Sequence, residues 1–412
     1  MTKPHNKTAS HISSSSLIWL LVAGATLRII LLYFTLREGI FLFEHGLSPY
    51  EGEMYHQTPL LIPLFLYIPQ HVTPLVFIIL DCIITSLVIH VASFKQSLQA
   101  AEIWPKPMAV KQVPDLQPKD SPINPILVGY SYMFNPLAIM TCLAQSTSVF
   151  NSVAIWSGIL YACKGNCKLS MLAIAVSTHL TLYPVMLIVP CAMLIAQVTK
   201  TKLWTTLSYC GLYFSAYLAS LFGLCYLLTE SWDFIPNSYG VILLVVDLTP
   251  NIGIWWYFFM EMFDQFRNFF LGVFQIHAFL YAVPLAIKFR ENPFLVMYLL
   301  CAVMSIFKSY PSVCDTALYL TLLAMHQELF KYMKQAFLSL SAMAYSVLLG
   351  PVFYGLWTYS GAGNANFFYA ITLNWGLAQV ILVTDSAFAY LRREWERLHP
   401  DLRNKRVELA HQ

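Results

Sequence analysis

The run WTTLSYCGLYFSAYLASLFGLCYLL, from Trp204 to Leu228, passes 25 positions without one charged side chain. A helix crossing the roughly 30 Å hydrocarbon core of a bilayer needs about 20 mostly apolar residues. This run is long enough to cross with some tilt, and its glycines and serines are tolerated because a helix satisfies its own backbone. Working outward, similar runs lie at Leu17 to Phe34, Pro74 to Phe94, Phe269 to Ile287, Ala336 to Trp357 and Phe367 to Tyr390. Between them, denser apolar regions divide at polar or proline punctuation. Pro125 to Leu143 and Val149 to Cys163 flank Gln145-Ser146-Thr147-Ser148; Leu169 to Leu180 and Pro184 to Gln197 flank Thr181 to Tyr183; Phe294 to Phe307 and Val313 to Phe330 flank Lys308-Ser309-Tyr310-Pro311. The expectation is an all-α, polytopic transmembrane bundle of about twelve spans, residues 1–412 forming a single multi-span membrane domain. Several pieces are short for a full crossing, and broken helices at membrane depth occur where they line a cavity.

Composition agrees. Of 412 residues 58% are hydrophobic and only 11% charged, against about 25% charged in soluble domains. So few charges cannot cover a water-facing surface. The net charge of +3 is scattered, with no basic run of the kind that binds nucleic acid. The nine cysteines sit in apolar stretches, where a thiol behaves as a small hydrophobe. Cys163 and Cys167 have no partner pair that would suggest zinc. The polar segment Met1 to Ser16 precedes the first run without a convincing cleavage site, so that run reads as a retained span.

The basic residues set an orientation. Lys95, Lys106, Lys111 and Lys119 lie in the 95–124 loop; Lys164 with Lys168, Lys200 with Lys202, Lys288 with Arg290, and Lys331 with Lys334 fall in alternate loops; Arg392, Arg393, Arg397, Arg403, Lys405 and Arg406 crowd the 391–412 tail. With an even span count they share one side, which the positive-inside rule makes cytosolic, both termini included. The sequon Asn6-Lys7-Thr8 would then stay unmodified. Residues 37–72, a loop with a short apolar helix, and residues 229–264 fall on the opposite side.

Four constellations could carry chemistry. The first outer loop, Gly46 to Pro59, holds Tyr50, Glu51, Glu53 and His56; the carboxylates could act as base or metal ligand, or the loop could simply turn and pack. Residues 249–268 read as an aromatic interfacial helix, with Phe259, Met262, Phe263, Phe266 and Phe270 on one face and Glu261, Asp264, Gln265 and Asn268 on another. That helix suits either acyl-chain contact or plain anchoring at the headgroup boundary. Ionisable residues interrupt apolar runs at Arg28, Asp81, Lys308, Asp315 and Asp385, where a charge costs about 2.5–3.5 kcal/mol and normally pairs or faces the interior. Lys308 and Asp315 could pair across Pro311. Finally, Ser360 to Tyr369 is a small-residue turn whose Asn364 and Asn366 offer donors and acceptors, followed by Phe367. No phosphate-binding loop, hydrolase triad, metalloprotease helix or haem motif is present, so no cofactor is expected.

Several of these segments resemble the PIG-U family: Ser48-Pro49-Tyr50 with His56 and Thr58-Pro59-Leu60, Phe134-Asn135-Pro136, Trp232-Asp233-Phe234-Ile235-Pro236, Asp247 to Glu261, Lys308-Ser309-Tyr310-Pro311 with Asp315, Asn366 to Leu373, and Phe388-Ala389-Tyr390-Leu391-Arg392-Arg393-Glu394. The resemblance spans nearly the whole chain in order. It implies a non-catalytic membrane subunit of the glycosylphosphatidylinositol (GPI) transamidase in the endoplasmic reticulum membrane. In that complex a caspase-like cysteine protease subunit supplies the nucleophile, and this subunit helps recognise the GPI glycolipid or the attachment signal and scaffolds the assembly. The resemblance also implies distant likeness to membrane-embedded lipid-linked-sugar glycosyltransferases, although Glu51-x-Glu53 replaces their Asp-x-Asp loop motif. The aromatic helix is similar to a motif of fatty-acid elongases. It favours GPI or lipid contact at Asn364, Asn366, Phe367, Trp256, Phe259 and Met262, with Tyr50, His56, Asp315, Lys200 and Lys202 as further candidates, Lys200 and Lys202 toward a lipid phosphate. The alternatives are a dolichyl-phosphate-sugar-dependent glycosyltransferase using Glu51 or Glu53, and a transporter built on the charges within the bundle.

Overall fold

A computed structural model describes residues 36–52, 54–69, 71–100 and 123–399. The first apolar run with Arg28, Glu53, most of the 95–124 loop, the Asn6 sequon and the tail beyond residue 399 lie outside the described residues.

Helix α14, Pro293–Phe307, forms the axis of the bundle. From Pro293 to Ile306 every residue is buried, which explains a segment apolar on all sides. Asn292 caps it by accepting the Leu295 N–H at 3.1 Å, with Pro293 in the first turn, where no amide partner is needed. Before it in the chain come α1 (residues 36–44), α2 (Leu61–Leu66), α3 (Thr73–Ala100), α4 (Pro125–Met133), α5 (Pro136–Leu143), α6 (Ser148–Cys163), α7 (Cys167–Thr181), a 3-10 turn Tyr183–Leu187 leading into α8 (Ile188–Thr199), and α9 (Leu203–Thr229). A π turn, Ile235–Gly240, leads into α10 (Val241–Leu244), then α11 (Trp255–Glu261), α12 (Asp264–Leu280) and α13 (Ala282–Lys288). After α14 follow α15 (Val313–Ala324), α16 (Ala336–Thr358) and α17 (Ala365–Leu398). The described residues contain helices and turns and no strand.

Among the described residues, five helices are long and apolar enough to cross a membrane: Thr73–Leu98, Leu203–Thr229, Asp264–Lys288, Ala336–Thr358 and Ala365–Leu398. The α4–α5 pair makes a sixth if counted as one span, bent by 49° where Asn135 stops one helix and caps the next. The remaining apolar helices are shorter and packed inside, with α6 against α7, α7 against α9, and α14 against α15. Among the described residues, length and composition alone therefore single out five or six candidate crossings, not clearly twelve.

The interior charges are each engaged. Asp81 accepts the Tyr132 hydroxyl of α4 at 2.9 Å. Asp385 accepts the backbone N–H groups of Lys334 and Gln335, tying α17 to the start of α16. Lys308 pairs with Asp315 at 2.5 Å across the α14–α15 break. Lys95, 1% exposed, donates to the Met325 carbonyl at 2.6 Å and meets Glu328 at 3.4 Å, fastening α3 to the turn after α15. Burial pushes the Glu328 carboxyl up, but the neighbouring Lys95 charge, helped by His326, a backbone hydrogen bond and Arg393, holds it below its ordinary value. Burial, with Lys95 beside it, holds the His326 imidazole down at about 3.

Two predictions follow from this clamp. Lys95→Met strands a buried carboxylate and should cost about 3–5 kcal/mol, most of it recovered in Lys95→Met/Glu328→Leu; thermal denaturation in detergent reads both. For His326, the unfolded chain takes up a proton below pH about 6.5 while the folded chain does not until about 3, so stability falls with acidification across that window. The slope should approach about 1.4 kcal/mol per pH unit, and melting temperatures measured between neutral and mildly acidic pH should show it flattened in His326→Leu.

Candidate functional site

The two ends of the bundle differ. At one end lie the lysine-bearing turns at 164–166, 200–202, 288–292 and 331–335. At the other, helices break inside the fold, and four of the five described non-glycine residues with positive φ gather there: Gln145, Leu182, Glu230 and Val245. Left-handed backbone at a β-branched residue such as Val245 is strained. Such strain persists only where the surroundings over-determine it, most often at functional sites.

Val245 is held from two sides. Its side chain packs with Trp255, Phe259 and Leu271. Its carbonyl accepts Arg267 Nη2 at 2.8 Å, while the guanidinium lies 5.5 Å from the centre of the Phe259 ring. Arg267 thus joins α10, α11 and α12 through one side chain, using the planar fork and ring-stacking face that lysine lacks.

The aromatic segment is not one helix over 249–268. Residues 249–254 are non-helical, α11 starts at Trp255, and Met262 and Phe263 are both extended (ψ 136° and 134°), so the chain turns before α12 begins at Asp264. An acidic residue in the first turn of α12 complements the helix dipole. The turn splits the aromatics into two sets. Trp255, Trp256 and Phe259 point inward and are fully buried, whereas Phe263, Phe266 and Phe269 are exposed. Trp256 packs against Trp357, Phe368 and Tyr369 with centroids about 6 Å apart.

The start of α17 closes this cluster. Asn364 is its N-cap, accepting the Phe367 N–H at 3.3 Å. Asn366 accepts the Tyr257 hydroxyl. Tyr369 donates to the Ile254 carbonyl at 3.1 Å. Phe367 faces out beside them, 53% exposed.

Below the aromatics lies a polar floor. Ser312 and Asp315 form a reciprocal cap for α15, the Ser312 N–H donating to Asp315 Oδ2 at 2.7 Å. The Tyr183 hydroxyl accepts the Ser309 N–H and donates to Gln275 Oε1, both at 3.2 Å. Gln275 in turn donates to the Ile242 and Leu243 carbonyls. Tyr310 donates to the Asp247 carbonyl at 2.8 Å. Asn151, Thr181, Tyr183, Lys308 and Asp315 contribute to the lining of a cavity of about 10 Å³, room for one water molecule.

A family model described as "GPI transamidase subunit PIG-U" matches residues 32–375. The chain belongs to the PIG-U family. Over 387 residues, 88% of this chain and 86% of the relative, it is 39% identical to the GPI-anchor transamidase component PIGU of Cricetulus griseus, and 38% identical to that of Homo sapiens over the same shares. It is 30% identical to the GPI transamidase component GAB1 of Saccharomyces cerevisiae over 378 residues, 91% of this chain and 89% of that one.

In this PIG-U chain the residues nominated from sequence do not form one pocket. Trp256, Phe259, Asn364, Asn366 and Phe367 belong to the aromatic cluster, and the half-buried Met262 to the turn beside it. Asp315 lies in the polar floor. Tyr50 and His56 belong to the outer loop, where the Tyr50 hydroxyl donates to the Gln57 carbonyl at 2.8 Å and the Tyr50 ring packs beside Cys225, Phe234 and Tyr239. His56 Nδ1 is buried there with no hydrogen-bond partner, and Glu51 is exposed. Lys200 and Lys202 sit where α8 turns into α9, roughly 40 Å along the 27-residue α9 from the Thr229 end that faces the break-rich side. Among the described residues no three His, Cys, Asp or Glu side chains group closely enough to hold a metal ion. Sequence reading named neither Tyr183 nor Gln275 as site residues, because their partners lie far away in the chain.

Asn364 now has a measurable local role. Asn364→Ala should cost about 1 kcal/mol through the lost cap, and Asn364→Ser should restore most of it, read as melting temperature.

Proposed function

We propose that this chain is a non-catalytic subunit of a GPI transamidase in the endoplasmic reticulum membrane, receiving the GPI lipid at the break-rich end and helping to scaffold the complex. A partner subunit of the caspase-like cysteine protease type would supply the nucleophile. The family and the names of its relatives support the subunit role. The basic turns would face the cytosol with both termini, and the break-rich end the lumen. On this reading the short interior helices also count as crossings. Together with the five long helices, the α4–α5 pair and the run Leu17 to Phe34, they give about twelve spans in the manner of membrane-embedded lipid-linked-sugar glycosyltransferases.

The observation that carries the lipid role is the join between Tyr257 and Asn366. It locks the aromatic hairpin to the first turn of α17, leaving exposed Phe263, Phe266 and Phe367 beside amide and hydroxyl groups. An amphiphile with acyl chains and a hydroxyl-rich headgroup matches that pairing of apolar rings with polar side chains. Trp256 and Phe259 support the surface from within, and Met262 shapes its turn. Tyr50 and His56, in the outer loop, are further candidates for lipid contact.

The test is complementation in cells lacking the endogenous protein, scored by GPI-anchored proteins at the surface and by co-purification of the other subunits. Asn366→Leu and Asn364→Lys should lower surface display roughly two- to tenfold, the scale of one lost hydrogen bond to a ligand, with the complex still assembled. Glu51→Gln/Glu53→Gln should restore display fully. Normal display in Asn366→Leu and Asn364→Lys would remove the lipid role, and failure of the double Gln variant in an assembled complex would favour the glycosyltransferase alternative.

A further inference from the structure

We propose that Cys167 and Cys210 form a redox-active dithiol: hydrogen peroxide oxidises Cys167, Cys210 resolves the product, and the resulting disulfide clamps α7 to α9. The two sulfur atoms stand 3.2 Å apart. Closing that gap to the roughly 2 Å of a disulfide takes a shift of about 1 Å, which small side-chain rotations supply. The residues are 43 positions apart in the chain, so the packing of α7 on α9 makes the contact. Among the described residues it is the one contact between two thiols.

The register that makes this contact is held from several points. Cys167 opens α7 directly after its cap, Asn166, whose side chain accepts the Leu169 N–H at 3.1 Å. The next residue, Lys168, lies 5.7 Å from the centre of the Tyr213 ring, one turn beyond Cys210 on α9. Farther along the same two helices, His179 Nε2 meets Cys225 Sγ at 3.2 Å, and the Tyr239 hydroxyl stands 2.7 Å from His179 Nδ1. The helix pair is thus fastened at both ends through sulfur. The Cys225 end is an ordinary polar contact; the Cys167 end can become covalent.

Access sets the order of events. Cys167 is half-buried in a turn between the exposed Lys164 and Lys168, whereas Cys210 is fully buried behind it. Reactive thiols occupy partly exposed, electropositive surroundings of the first kind, so a peroxide dissolved in water meets Cys167 first. The Cys167 sulfur attacks one peroxide oxygen, the O–O bond breaks, water leaves, and the sulfur becomes a sulfenic acid. The Cys210 sulfur then displaces the hydroxyl, forming the S–S bond and releasing a second water. Two thiols have lost two hydrogens, and the peroxide has been reduced to water. The second step is intramolecular, so Cys210 needs no exposure of its own. A dithiol reductant reverses the change by thiol–disulfide exchange. Most of the other thiols lack this setting: Cys163, Cys191 and Cys301 are buried, Cys314 lies 3.1 Å from the Ser152 hydroxyl, and Cys82 is exposed on the apolar face of α3.

The experiment uses the assembled complex, purified in reductant, transferred to reductant-free detergent and treated with hydrogen peroxide near stoichiometry. Free thiols are then alkylated, the protein is digested without reduction, and the peptides are mapped by mass spectrometry. The Cys167 and Cys210 peptides should appear joined, two hydrogens lighter than their separate reduced forms, before any change at the exposed Cys82, and should separate on adding dithiothreitol. In Cys210→Ser the Cys167 sulfenic acid should accumulate and be trapped by dimedone. In Cys167→Ser the buried Cys210 should stay reduced. Phenylarsine oxide, which bridges two neighbouring thiols with loss of water, should add once across the pair in the untreated parent; that measurement needs neither variant to assemble. The proposal is overturned if Cys167 passes to the sulfinic acid while Cys210 remains free, or if Cys82 oxidises first. It is equally overturned if Cys210 oxidises in Cys167→Ser, or if the arsenical fails to bridge the two residues.

Discussion

A backbone amide or carbonyl left without a partner inside a bilayer costs several kcal/mol. That constraint governs how this chain is built. Where helices break within the fold, side chains arrive to satisfy the freed groups, several of them from distant segments. At the break between α14 and α15, the Ser309 N–H finds the Tyr183 hydroxyl and the Ser312 N–H finds Asp315. At the end of α10, the Val245 carbonyl finds Arg267, and one turn earlier the Ile242 and Leu243 carbonyls find Gln275. All but the local Ser312–Asp315 cap cross from one element to another, so these breaks bind the bundle together instead of weakening it.

The same requirement explains what gathers at one end. Breaks bring strained backbone, unpaired helix ends and polar side chains to one depth, and a cavity for water follows from crowding so many polar groups. The aromatic hairpin seals that region from the side. Its buried Trp256 packs against α16 and α17, while Phe263, Phe266 and Phe269 remain outside, so one short sequence supplies both a buried support and an exposed aromatic surface. The opposite end is plainer. Its turns are capped or glycine-shaped, and its charge is either paired into clamps or left exposed on the basic residues of those turns.

Individual residues show how far local reading reaches. Lys308 and Asp315 were legible as a pair because they bracket a proline and because isolated charges there are costly; they stand 2.5 Å apart. Asp81 and Asp385 were legible as engaged groups but not their partners, a tyrosine on α4 and two backbone amides before α16, since sequence spacing carries no information about those contacts. Asn364 drew attention as an amide in a small-residue turn, and its position one residue before a helix makes it a cap. The periodicity of Phe259, Met262, Phe263 and Phe266 pointed to one amphipathic helix, but two extended residues at Met262 and Phe263 split it, and the periodic pattern carries no trace of that turn. Lys200 and Lys202 read both as candidate contacts of a lipid phosphate and as part of the basic, cytosolic set of turns; the length of α9 puts them roughly 40 Å from its Thr229 end.

Sequence alone determined that this is a membrane-embedded helical protein, where its long apolar runs lie, and through a series of ordered motifs which family it belongs to. Those properties depend on composition and on residue order, which are local and additive. The tertiary structure alone decided which short helices pair inside the bundle, which aromatics face inward, and which polar groups satisfy which broken backbone. Those outcomes depend on hydrogen bonds and packing between residues separated by as many as 233 positions, where the energy resides in the meeting of two segments and in neither one by itself.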